Sequence, residues 1–473
     1  MTRENKHSAA TRSGRILFVL SLLLLIAPSI LAQIPDITTG QRPQQPEVVD
    51  ETVQTMFPHF KEGRFWVSGQ ANAIYQTHPP FHADYSGPNS LRPTYEKATS
   101  HIVTLYTGFQ FSKSGEILLD FEHAGGLGLS GTFGVAGFPN LDATRDPTLG
   151  QTPYLSRVMV HQVIALSSDT TEMDRGPLST FSELPSRRLE LRAGKFSIVD
   201  FFDVNSVGSD SHLQFMNWAV DQNGSYDFTA DSRGYTWGLL AEYQSHKWGA
   251  RFCEALLPKG KGLDWNLRKS NTSNAEFELH RGFLPRRTGI IRVLSYVNNT
   301  NMGIYRYANE QYLEGKVAKP DITDHSPQVT TKYGFGVNLE QSLTPDIVVF
   351  GRFGWNNGKT ETWSFTEIDQ TTGGGMGFLG HLWKRRYDRV GVALMTNGLS
   401  SDHARYLSYG GLGSILGDGG LKYGRENILE SYYTAHVWRG IFVGPDFQYV
   451  VNPGFNQARG PVIVPAFRLH LEL

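Results

Sequence analysis

This 473-residue chain has a single cysteine, Cys253, so no internal disulfide can brace it and a large core or barrel must hold the fold instead. Charge is scarce as well. Asp, Glu, Lys and Arg make up 19 % of the chain, and the balance of 44 basic against 45 acidic residues argues against nucleic acid as a partner. Beyond residue 32 no segment approaches the ~20 apolar residues that a spanning helix needs. No 3.6-residue apolar period is sustained either, so helix content should be low. Glycine (50 residues) and aromatics (12 %) are abundant, and the aromatics exclude a disordered chain. At about 150 residues per domain the length suits roughly three domains, but one large all-β domain fits equally well.

The N-terminus reads as an export signal. Arg3, Lys6, Arg12 and Arg15 precede an apolar run from Ile16 to Ala27, then Pro28 and the small residue Ala32. That is the layout of a cleaved secretory signal over residues 1–32, with the cut between Ala32 and Gln33. The run is short for a membrane anchor, and no cysteine near the cut suggests a lipoprotein. Residues 33–63, with Pro43, Gln44, Gln45 and Pro46, read as an N-terminal periplasmic segment ahead of one domain over 64–473.

That domain is written in period two. Val67, Gly69, Ala71, Ala73 and Tyr75 alternate with Ser68, Gln70, Asn72 and Gln76, and Ala275, Phe277 and Leu279 alternate with Glu276, Glu278 and His280. Such alternation assigns one set to each face of a sheet. Strands are expected at 64–76, 101–112, 115–123, 153–166, 186–196, 233–244, 246–255, 274–281, 288–298, 331–341, 346–356, 377–385, 388–396, 427–438, 440–451 and 461–473. Their connections sort by parity. Lys113-Ser114, Ser245, 342–345, Arg386-Tyr387 and Arg439 are tight, whereas 77–100, 124–152, 197–232, 256–273, 299–330, 357–376 and 397–426 are long. Segment 167–185 breaks the rule, being long where a short turn is due, and 452–460 is short for its side. Short turns at one end and long loops at the other mark a transmembrane antiparallel β-barrel of about 16 strands. An even number closes it without an edge. The chain end agrees: Phe467, Leu469, Leu471 and Leu473 alternate with Arg468, His470 and Glu472, apolar side chains to lipid and charged ones to the lumen. Tyr75, Trp237, Tyr243, Trp248, Tyr296, Trp355, Trp383, Tyr433, Trp438 and Tyr449 suit the aromatic girdles of such a wall.

Enzyme motifs do not hold. Gly126-Leu127-Gly128-Leu129-Ser130-Gly131 has dinucleotide spacing, but Gly134, Gly137 and Pro139 follow where a helix should open. No nucleophile elbow, phosphate loop or helical zinc pair is present. Asp418 lacks the spaced acidic partners of a calcium loop. His161, His280, His436 and His470 fall singly on strands and read as wall residues. The expectation is no catalytic residue, no cofactor and no metal, with Cys253 buried.

Five stretches resemble one known family. They are EHAGGLGLSGTFGVAGFPNLDATRDPTLG (122–150), GKFSIVDFFDVNSVGSDSHLQFMNWAVDQNGSYDFTADSRGYTWG (194–238), GRFGWNNGKTETWSFTEID (351–369), DRVGVALMTNGLSSDHARYLSYGGLGSILGDGGLKYGREN (388–427) and NPGFNQARGPVIVPAFRLHLEL (452–473). In this order they resemble the carbohydrate-selective porins of the OprB type, NPGFN followed by RGPV being the most specific part. The resemblance implies a sixteen-stranded barrel that passes sugars, glucose-like monosaccharides among them, across the outer membrane of Gram-negative cells by passive diffusion. It implies outer-membrane lipid and the assembly machinery as partners, and leaves a homo-oligomer open. Such chains usually end in an aromatic residue; this one ends in Leu473.

A neutral sugar needs planar donors and acceptors beside aromatic rings, with little net field. The expected lumen set is of that kind and mixed in sign: Glu116, Asp120, Glu122, Arg157, His161, Arg188, Glu190, Arg192, Arg251, Glu276, Glu278, Arg292, Arg352, Glu430, Asp446, Gln448 and Arg468. Arginine forks can hold vicinal hydroxyls while carboxylates accept from others. Loop 197–232, with Phe201, Phe202, Asn205 and Phe215, reads either as a constriction folded inward or as a roof, and the Gly-rich 124–138 could support it. The substrate path is expected at Arg157, Glu190, Arg192, Asp200, Asp203, Asn217, Trp218, Asp227, Arg233, Glu278, Arg352 and Glu430. Rival readings are a general diffusion pore, an outer-membrane hydrolase and a soluble periplasmic sugar-binding protein.

Overall fold

In a strand every second side chain faces the same way, and in this chain the apolar and polar sets separate cleanly. In the computed structural model the last strand buries Val464, Ala466, Arg468 and His470 and exposes Ile463, Phe467 and Leu469. The structure describes residues 55–59, 62–143, 149–259, 262–362 and 366–473. The expected signal segment and residues 33–54 lie outside them.

Sixteen strands form one closed antiparallel barrel. They are β1 Phe65–His78, β2 Glu96–Gln110, β3 Gly115–Gly126, β4 Tyr154–Ala165, β5 Arg188–Phe196, β6 Thr236–Gln244, β7 Trp248–Ala255 and β8 Asn271–Leu279. There follow β9 Gly289–Thr300, β10 Thr330–Thr344, β11 Ile347–Asn356, β12 Gln370–Leu379, β13 Arg389–Gly398, β14 Glu426–Trp438, β15 Ile441–Val451 and β16 Val462–Glu472. Each pairs with its sequence neighbours, and β1 closes on β16 from Gln70↔Glu472 to Gln76↔Ala466. No backbone edge is left unpaired, the condition for crossing a membrane with strands. Among the described residues no helix is long and apolar enough to cross one.

Every expected strand is present, with two displaced boundaries. The second begins at Glu96 rather than 101, because His78↔Glu96 extends the β1 ladder past the apolar stretch. The twelfth is Gln370–Leu379 rather than 377–385. Gly373, Gly374 and Gly375 have no side chains to alternate and so read as loop, yet they pair in register with Arg352, Gly351 and Phe350.

Loop lengths follow the expected parity. The short-turn side, periplasmic in barrels of this kind, has connections such as 245–247, 345–346 and 439–440. The other side carries 79–95, 127–153, 197–235, 301–329 and 399–425. Two of these loops fill part of the barrel. Phe138, Phe202, Phe215, Val220, Tyr226 and Phe228 join Leu240, Tyr296, Phe350 and Tyr432 of the wall in one buried cluster.

Candidate functional site: the barrel lumen

Adjacent strands bring opposite charges to matching positions on the inner wall. His161 of β4 bridges Glu116 of β3 (2.7 Å) and Glu190 of β5 (2.8 Å). Glu190 also meets Arg188 at 2.6 Å and Arg192. Arg192 reaches Glu242 of β6 at 3.0 Å. Arg251 of β7 sits among Glu242 (2.9 Å), Glu276 (2.6 Å) and Glu278 (3.0 Å). Arg292 of β9 ends the run, 3.4 Å from Glu278 and 3.5 Å from Glu340 of β10. A second group lies on β3 and β4, where Arg157 pairs with Asp120 of β3 and lies 2.7 Å from Asp200. The result is a belt of alternating sign over β3–β10, each charge held by neighbours of the other sign. Its long-range field is reduced, because close opposite charges cancel in part beyond a few ångströms.

Facing the belt is loop 197–235, which enters the lumen and is fixed to the wall on many strands. Asp203 donates its N–H to Glu276 Oε2 (2.7 Å), and Ser206 Oγ donates to Glu340 Oε1 (2.7 Å). Met216 and Asn217 donate their N–H groups to Glu430 Oε1 (2.5 and 3.1 Å). Arg468 donates to Gln214 O (2.7 Å), Tyr296 to Ser225 O (2.9 Å) and Asn298 to Asp227 O (2.7 Å). Arg352 does most. Its Nη1 donates to Val220 O (2.7 Å) and Asp221 O (2.8 Å), its Nη2 to Gly208 O (2.8 Å) and Asp203 O (3.0 Å), and its Nε lies 2.8 Å from Asp203 Oδ2. An inserted loop has to place its backbone polar groups somewhere, and this wall supplies their partners.

The Gly-rich loop after β3 folds inward beside it. Ala136 and Gly137 donate to Glu426 (2.9 and 3.1 Å), while Gln76 and Gln448 donate to Pro139 O (both 2.8 Å). The two loops clasp each other: Asn217 Nδ2 donates to Gly137 O (2.7 Å) and Trp218 N–H to Phe138 O (3.1 Å). The Trp218 ring lies parallel to Phe228 (5.7 Å) and edge-on to Phe138 (4.8 Å).

The twelve expected path residues therefore divide. Arg157, Glu190, Arg192, Asp200 and Glu278 belong to the belt and its branch. Asp203, Asn217, Trp218, Arg352 and Glu430 are engaged in seating the loop, and Asp227 lies buried, 3.6 Å from Lys332. Arg233 sits apart, over the Tyr154 ring at 3.9 Å. Glu242, Glu340, Lys332 and Glu426 were not among the candidates. The signal for them was their phase: each falls on the inward register of its strand. Among the described residues no group of three or more His, Cys, Asp or Glu is arranged to hold a metal ion.

One ion pair within the loops titrates in an accessible range. Burial alone would raise the Asp142 carboxyl, but His212 at 3.5 Å, with Asn72 donating at 2.6 Å, brings it down to about 2. Burial alone would lower His212, but Asp142 lifts it to about 9. The depressed acid stabilises the folded loops above its ordinary value of 3.8 and loses that effect as pH falls towards about 2. The raised base stabilises them fully below its ordinary 6.5 and loses that effect as pH rises through about 9. Thermal unfolding of the parent and of Asp142→Asn should therefore differ most between about pH 4 and 6.5 and converge on either side. A difference independent of pH would show that the pair contributes nothing as a pair.

The profile described as "Carbohydrate-selective porin, OprB family" matches residues 89–473. Among solved structures, the high-pH structure of Pseudomonas putida OprB aligns with a TM-score of 0.66 at 14 % identity, covering 87 % of this chain and 94 % of that one. The low-pH structure of the same protein gives 0.46 at 12 % identity over 87 % and 93 %. The outer membrane channel DcaP of Acinetobacter baumannii gives 0.47 at 8 % identity over 88 % and 100 %. No curated protein sequence matches.

Proposed function

We propose, from the premise that this chain belongs to the carbohydrate-selective porin family OprB, that its lumen passes glucose-like sugars between loop 197–235 and the charged belt. The barrel is an outer-membrane porin, and the family and fold are those of a channel rather than an enzyme. Residues 1–32 would direct its export.

The observation that carries the finer reading is the belt itself. A wall whose arginines are each paired with carboxylates still offers forks and acceptor oxygens to hydroxyls. Interleaved signs weaken the field with which it could favour an ion over a neutral solute. Its members are already paired, so a sugar exchanges hydrogen bonds rather than gaining new ones. That keeps binding weak enough for release at the far end. Glycoside hydrolysis would need two carboxyl groups placed across a bound sugar. Here Glu190, Glu242, Glu276 and Glu278 are held by arginines instead.

Swelling of liposomes loaded with the purified barrel tests the reading. Glucose should enter fast, a disaccharide more slowly, and a charged solute of glucose's size should lag behind both. Equal rates for all small solutes would make the protein a general diffusion pore. No swelling from a folded barrel would overturn transport altogether.

A further inference from the structure

The segment that broke the parity of loop lengths, 166–187, lies on the short-turn side between β4 and β5 and is folded back into the barrel. It is a hairpin with its own two-stranded sheet, Thr170–Glu172 against Glu183–Pro185, closed at the tip by Gly176 N–H donating to Ser179 O (2.7 Å). The tip is fixed to the wall. Thr180, fully buried, donates its N–H (2.8 Å) and hydroxyl (2.5 Å) to Glu116 Oε2, and Ser179 Oγ donates to Glu116 Oε1 (2.9 Å). Gln110 donates to Thr180 O (2.6 Å). Phe181 and Leu184 pack with Val163 of β4. The wall is cut to admit the tip, since a Cβ at Gly108 of β2 would stand 2.3 Å from Thr180 Cγ2.

Two features make this more than a long turn. Glu116 is wholly buried, and apart from His161 its hydrogen-bond donors all come from the hairpin, so the wall is incomplete without it. The tip also meets the other insertion. Arg157 donates to Pro177 O (3.2 Å) and to Asp200 Oδ2 (2.7 Å), so hairpin and long-side loop converge on one guanidinium from opposite ends of the barrel.

We propose that hairpin 166–187 is a second constriction, on the exit side and in series with loop 197–235, that sets the upper size of the solute. This rests on the sugar-porin reading. The tip sequence Gly176-Pro177-Leu178-Ser179 carries no charge, and the adjoining Arg175 is turned to Thr180 O and to Gly63 O and Phe65 O at the rim, so the filter works by exclusion rather than by field. It covers the wall of β2–β5.

Two kinds of variant test this in planar bilayers and liposomes. Replacing 168–185 by a tight turn, or substituting Gly108→Val to push the tip off the wall, should raise single-channel conductance roughly twofold and admit larger oligosaccharides. Ser179→Cys removes one donor to Glu116 but keeps both from Thr180, so the hairpin should stay seated. A charged methanethiosulfonate added on the short-turn side should lower its current stepwise, with the parent as control because Cys253 is fully buried. Unchanged conductance and size limit in folded variants, or a modified Ser179→Cys channel with unaltered current, would overturn the proposal. Ion current reports on the hairpin whatever the solute and glucose swelling reports on the sugar reading, so the two can fail separately.

Discussion

Arg352→Met should release loop 197–235 without opening the barrel. The substitution removes the donors that hold Asp203, Gly208, Val220 and Asp221, all buried, while no strand-to-strand hydrogen bond is altered. The Val220 and Asp221 carbonyls lose their donor, Asp203 O and Gly208 O keep only Asn338 Nδ2 and Ser209 Oγ, and the Asp203 carboxylate loses its cation. Breaking one side of a buried pair costs about 3–5 kcal/mol. Part of that is avoidable, because burial already holds the Asp203 carboxyl above its ordinary range with Arg352 beside it, and without the arginine it can take up a proton. The expected result is a folded, heat-modifiable barrel with a lower unfolding temperature, a larger conductance and noisier current. Adding Asp203→Asn should recover part of the stability but not the quiet current, since the Val220 and Asp221 carbonyls stay unpartnered. A single variant with parental conductance and noise would show that the other wall contacts hold the loop unaided.

The sequence showed which side of the wall each residue faces, but not what it meets there. Period two placed Arg352, Glu430 and Arg468 in the lumen, and all three are there. The same pattern suggested that they contact a permeating sugar, whereas they bind loop backbone 132, 214 and 254 residues away in sequence. Alternation is a local signal, and a partner at that separation leaves no trace in it. The charged belt was more legible, since its pairs join adjacent strands or, as with Glu190 and its two arginines, alternate residues of one strand, and both kinds follow from register. β12 shows the opposite failure, where three consecutive glycines erase the alternation although the backbone pairs normally. Segment 167–185 was visible as an exception to parity. Its inward course depends on Gly108 and Glu116, on strands that precede it by two connections and by one, and nothing within the segment announces that.

Gly354→Val should displace the same loop by a different route. Gly354 lies on the inner face of β11 one pleat from Arg352, opposite Gly336 of β10. A Cβ at Gly354 would stand 2.0 Å from Asn223 Oδ1 and 2.2 Å from Ser225 Oγ, and one at Gly336 would stand 2.5 Å from Asn223 Nδ2. The loop thus occupies the space that two missing side chains leave on the wall. Asn223 Oδ1 accepts from Ser225 N–H (3.2 Å) and Oγ (3.1 Å), so this turn is braced internally and has little freedom to yield. Overpacking at such a site costs about 1–3 kcal/mol. Wall strands hydrogen-bonded on both sides cannot move apart, so the loop must shift. Conductance should rise in Gly354→Val as in Arg352→Met. Gly351→Val is the control: on the outer face of the same strand, its Cβ would meet nothing nearer than Gly373 O at 3.8 Å. It should therefore fold and conduct like the parent. If both valines conduct alike, the seating of the loop does not limit the pore, and the narrowest point must be sought elsewhere along the belt.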